Sequence, residues 1–102
     1  MKNSIQTKKK RLIFRDDAKR LIRLVRQKVK EEKLKVAYLD FSSVDFMSRS
    51  FVDEFLNGLS DLEKVNVKVQ FLNLQTALQE FILRVKNVKS KIRKTILNAH
   101  KK

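Results

Sequence analysis

The sequence has no cysteine and no proline, and its single glycine is Gly58. Without cysteine there can be no disulfide, thiolate zinc site or cysteine nucleophile. That composition fits a reducing compartment, and a cytosolic protein is the simplest expectation. One glycine cannot build a glycine-rich phosphate loop. No apolar run approaches the roughly 18–20 residues that a bilayer-spanning helix needs. The opening MKNSIQTKKKR lacks the apolar centre of a secretion signal. The one histidine, His100, lies near the C-terminal end, and no residues fall at metal-ligand spacing. With no base–nucleophile pair in view either, the expectation is a non-enzymatic protein without metal or cofactor.

Acid is scarce as well. The formal net charge is +14 over 102 residues, and it is unevenly spread. Residues 1–11 carry Lys2, Lys8, Lys9, Lys10 and Arg11 and no acid. Residues 86–102 carry Lys86, Lys89, Lys91, Arg93, Lys94, Lys101 and Lys102, again with no acid. The stretch 32–85 holds slightly more acid than base. A nearly neutral centre thus lies between basic ends. The chain reads as a basic arm over 1–11, one α/β domain over 12–86, and a basic helix or tail over 87–102.

Taken in order, the arm is ordered only where Ile5 joins an edge strand. Leu12-Ile13-Phe14 reads as a short strand. Asp16 or Asp17 then caps a first helix, whose buried stripe is Ala18, Leu21, Ile22, Val25 and Val29. Lys19, Arg23, Arg26 and Lys30 form a basic stripe around the same helix. Val36, Ala37, Tyr38, Leu39 and Phe41 form a nearly continuous apolar run, as in a strand covered on both faces. Ser42, Ser43 and Asp45 supply turn chemistry. Phe51, Val52, Phe55, Leu56 and Leu59 then recur at helical spacing, capped by Ser48 or Ser50. Gly58 lies inside this helix, where it costs about 1 kcal/mol relative to alanine, and close packing is a reason to keep it. Asp61–Lys64 reads as a connection. Val65, Val67, Val69 and Phe71 alternate with polar residues, predicting a strand with one polar face, at an edge or partly uncovered, that can also pair across a homodimer. A third helix carries Leu74, Ala77, Leu78, Phe81, Ile82 and Val85. Val88, Ile92, Ile96 and Leu97 continue it or form a fourth helix capped by Ser90. Alternating strands and helices predict an α/β layer fold.

The segment Asp40-Phe41-Ser42-Ser43-Val44-Asp45-Phe46-Met47-Ser48-Arg49-Ser50-Phe51 resembles the central signature of STAS domains, those of sulfate transporters and anti-sigma-factor antagonists. Phe51-Val52-Asp53-Glu54 is more similar still to a small STAS-like family of unknown function. The likeness spans about Phe14 to Val85. It implies a small STAS-like α/β fold, with a three- to four-stranded mixed sheet and helices packed mainly on one face. It also implies a regulatory partner protein, of which a histidine-kinase-like ATPase is one kind. In the antagonists the matching turn reads Asp-Ser-Ser-Gly, and its first serine is phosphorylated. Here those positions are Ser48, Arg49, Ser50 and Phe51, so arginine stands at the phosphoacceptor. Ser48 and Ser50 are the remaining candidate phosphoacceptors, although capping alone accounts for serines at a helix start.

Two functional expectations follow. In the first, Asp45, Ser48, Arg49, Ser50, Phe51, Glu54 and Phe55 form a partner-binding surface at the start of the second helix. Arg49 adds positive charge where the helix dipole is already positive, which hints at an anionic partner group. In the second, Lys8, Lys9, Lys10, Arg11, Lys19, Arg23, Arg26, Lys30, Lys89, Lys91, Arg93 and Lys94 bind nucleic-acid phosphates without reading bases. Asp40 and Asp45 bracket a turn at a strand's C-terminal end, a usual place for sites in α/β folds. Turn hydrogen bonding explains them equally well.

Overall fold

A computed structural model describes the backbone of residues 4–100 and the side chains of residues 4–90. The elements in order are β1 (Ser4–Gln6), β2 (Arg11–Leu12), α1 (Arg15–Glu32), β3 (Val36–Asp40), β4 (Phe46–Met47), α2 (Arg49–Lys64), β5 (Lys68–Leu72) and α3 (Thr76–His100). The protein is an α/β domain with two small sheets. One has the order β1-β3-β5 and the other pairs β2 with β4.

Every described strand pair is parallel, in place of the mixed sheet that the resemblance implies. The reason is connectivity. β1 reaches β3, and β2 reaches β4, only by way of α1, and β3 reaches β5 by way of α2. Such helical crossovers return the chain in the same direction. Ile5 does join an edge strand, lying opposite Leu39.

β3 is covered on one face rather than two. Ala37 and Leu39 are buried, whereas Val36, Tyr38 and Asp40 are half-buried. Ile5, Ala37, Leu39, Val69 and Phe71 occupy matched positions and belong to the core or pack against it. The opposite face carries Ser4, Gln6, Lys68 and Gln70.

In α1, Ala18, Leu21, Ile22 and Val25 are buried as the spacing predicts. Neither Asp16 nor Asp17 is the N-cap, which is Phe14. Asp17 instead reaches back from the first turn. Its Oδ2 accepts the N–H of Phe14 at 3.1 Å, and its Oδ1 accepts Lys9 Nζ at 2.8 Å. The helix ends on Lys33 in the left-handed conformation, φ 53°, where glycine is the usual residue.

Helix α2 runs to Lys64, so Asp61–Lys64 is its last turn and not a connection. The carbonyls of Leu62 and Glu63 take the N–H groups of Val65, Asn66 and Val67. This holds Val65 out of the sheet, 66% exposed, and β5 begins only at Lys68. The buried series of α2 is Phe51, Val52, Phe55, Gly58 and Leu62, with Leu56 and Leu59 half-buried. A side chain at Gly58 would overlap Ile22 Cγ1 and stand 2.8 Å from its Cδ1, so the glycine lets α1 and α2 approach. Helix α3 passes through Ser90 without a break.

Candidate docking surface at the start of α2

Ser48 is the cap that joins three elements. Its Oγ accepts the N–H of Phe51 at 3.0 Å and donates to the carbonyl of Ile13. Its own N–H donates to Leu12 O at 2.9 Å. The hydroxyl is therefore used as both donor and acceptor, fixing the start of α2 against the end of β2. Ser50 lies within the first turn and is exposed, as are Arg49 and Asp45.

Phe51 and Phe55, grouped with this surface on sequence grounds, are fully buried. Their rings stack at 5.4 Å, and Phe41 meets Phe55 edge-on at 6.1 Å. They form the rigid floor under the first turns of α2 and cannot meet a partner. Two other phenylalanines are exposed. Phe46, in β4, is 40% exposed, with the Arg11 guanidinium 4.7 Å from its ring centre. Phe14 is 66% exposed. It stands between Ile13, which Ser48 bonds, and Arg15, which bonds Asp53 at 2.7 Å, and so lies beside the first turns of α2.

Asp53 organises the charge here. One carboxylate oxygen accepts Lys89 Nζ at 2.7 Å, and the other accepts Arg15 at 2.7 Å. Lys89 also donates to the backbone carbonyl of Asp53 and to Asn57 Oδ1 at 2.8 Å. Arg15 further approaches Glu54 at 3.5 Å. Hydrogen bonds from Lys89 and then Arg15 hold the Asp53 carboxyl below the ordinary carboxylate range. This hub ties α1, α2 and α3 together. Helical spacing places Asp53 opposite the apolar stripe, but nothing local marks partners 36 and 38 positions away.

At the other end of the turn, Asp40 Oδ1 accepts the N–H of Ser42 at 2.9 Å and the amide of Asn73 at 3.1 Å. These bonds lower its proton affinity and give it a turn-forming role. Asp45 is separated from this network, its N–H donating to Lys10 O at 2.9 Å.

The basic candidates divide. Lys8, Lys10, Lys19, Arg23 and Lys30 are exposed. Lys9 is held by Asp17, Lys89 by Asp53, and Arg11 by the Phe46 ring. Arg26 lies 3.7 Å from Asp61. Lys91, Arg93 and Lys94 fall outside the described side chains. Lys19, Arg23 and Arg26 line an open cleft of about 330 Å³ between α1 and α2. Among the described residues no group of acidic or histidine side chains is placed to hold a metal ion, and no helix is long and apolar enough to cross a membrane.

Compared with family models, characterised proteins and solved structures, the chain matches none of them.

Proposed function

We propose that this chain is a non-enzymatic, STAS-like interaction module that docks a regulatory protein through the start of α2. The observation that carries the reading is the exposure of two phenylalanines, Phe14 at the start of α1 and Phe46 in β4, in segments that lead into α1 and α2, together with exposed Asp45, Arg49 and Ser50 and half-buried Glu54. An apolar centre with a charged edge is the usual build of a protein interface. The floor of buried phenylalanines and the Ser48 bonds support a preformed surface, so little ordering is needed on docking. In this reading Arg49 addresses a partner carboxylate. A negative charge on Ser50, whose side chain is free of the cap, would oppose that contact. The resemblance to STAS domains adds a partner class, a histidine-kinase-like ATPase or another regulatory protein, in the cytosol.

The exposed row Lys19, Arg23 and Lys30 along α1 favours a second reading, contact with nucleic-acid phosphates. One experiment separates the two. Tagged full-length protein is recovered from native extract with and without nuclease, beside Arg49→Glu and Phe46→Ala variants of unchanged melting temperature. The docking reading expects one nuclease-resistant partner, lost in both variants. Material that disappears with nuclease, or a partner retained by both variants, would overturn it.

A further inference from the structure

Away from the start of α2, strand β5 leaves an open edge. Its one described neighbour is β3. Lys68 N–H donates to Lys35 O at 2.9 Å, and Leu72 O accepts the N–H of Phe41 at 2.9 Å. Backbone groups alternate in direction along a strand. Lys68, Gln70 and Leu72 therefore turn theirs to β3, and Val69 and Phe71 turn their N–H and C=O groups outward.

Those groups open into a groove of about 440 Å³ between β5, α2 and α3. All five residues from Val67 to Phe71 line it. Consecutive strand residues face opposite sides of a sheet, so a cavity touching every one of them runs along the strand's backbone edge. Leu56 and Leu59, both half-buried, form its apolar wall on α2. Lys68 and Lys86, both exposed, stand on its rim with Glu63. Lys89, fixed to Asp53 and Asn57, holds α3 against α2 at the groove.

We propose that this edge accepts an extended segment of a partner protein as a fourth strand, and that the segment alternates apolar with acidic residues. The outward backbone groups of Val69 and Phe71 supply ladder hydrogen bonds, the mode by which exposed sheet edges take up peptides. Alternate apolar side chains would reach Leu56 and Leu59, and the acidic ones, on the opposite face, would meet Lys68, with Lys86 adding positive charge at the rim. Charge decides the occupant. A second copy would bring another +14 to an already basic rim, whereas an acidic strand is attracted to it. The site is separate from the Phe14–Phe46 surface, so it stands or falls independently of the docking reading.

The test uses the full-length chain and four synthetic peptides. One alternates valine with glutamate, one alternates valine with lysine, and two are the glutamate peptide N-methylated at alternate backbone nitrogens, one on the valine and one on the glutamate nitrogens. Titration followed by amide NMR and hydrogen exchange is expected to show the glutamate peptide bound, with new protection at Val69 and Phe71. The lysine peptide should not bind, and N-methylation placed on the edge-facing nitrogens should abolish binding. The double variant Lys68→Glu with Lys86→Glu should weaken the glutamate peptide by about tenfold. Binding that survives N-methylation in both registers, protection confined to other residues, or no binding at millimolar peptide would overturn the proposal. So would sedimentation showing that β5 is already covered by a second copy.

Discussion

Gly58 shows how much one missing side chain can decide. A glycine inside a helix is unfavourable by about 1 kcal/mol against alanine, yet here the vacant position is filled by buried Ile22. The atoms in the way are near the stem of a β-branched side chain, which has few rotamers to retreat into. Gly58→Ala should therefore destabilise the protein by roughly 1–2 kcal/mol, overpacking outweighing the gain in helix propensity. Ile22→Ala removes the obstruction. The pair together should cost at least about 1 kcal/mol less than the sum of the singles in urea denaturation. Additive losses would place the cost elsewhere. The sequence marks this glycine as anomalous but does not name its partner, because packing across two helices has no local signature. The same holds for Asp53. Its position on α2 is readable, whereas Arg15 and Lys89 come from other helices.

At the scale of elements, acid tests what anchors the ends. Asp17 and Asp53 both titrate below the ordinary carboxylate range, Asp17 through Lys9 and the Phe14 N–H, Asp53 through Lys89 and Arg15. A carboxyl depressed in the folded state contributes fully above its unfolded value near pH 4, and the contribution is lost as pH falls through the folded value. Stability to urea should hold from about pH 7 to about pH 5 and decline below about pH 4. Asp17→Asn should be weaker by about 1–2 kcal/mol at neutral pH and converge on the wild type in acid. Parallel curves would remove Asp17 from the acid response. Most elements are legible in the sequence where the pattern is long. The stripe of α1, the strand from Val36 and the helix after Ser48 all follow from spacing. Short pieces are not legible: β2 and β4 are two residues each and exist through pairing with one another. The start of β5 is misread because Val65 continues an alternation that the end of α2 has already claimed. On the candidate surface, the apolar character of Phe51 and Phe55 is plain, but period alone does not say which phenylalanines are floor and which, like Phe14 and Phe46, are exposed.

Over the whole molecule, the +14 charge is a standing repulsion. Raising sodium chloride from about 10 mM to about 150 mM shortens the screening distance from roughly 30 Å to roughly 8 Å. The melting temperature should rise over that interval, since the exposed lysines outnumber acids while the half-buried Asp53–Lys89 pair is less easily screened. A fall would show that ion pairs, and not net charge, dominate the response. The all-parallel topology has a different consequence, in time rather than in energy. Ser4 pairs with Tyr38, Arg11 with Phe46 and Val36 with Lys68, so each described strand pairing must wait for an entire intervening helix. No described pairing can form as a hairpin on a short loop. Non-local closure of this kind slows folding relative to a helical bundle of the same length. On the ribosome, β3 must remain without its β5 neighbour until α2 has been made, leaving the centre of the future sheet as an open edge through that stage of synthesis.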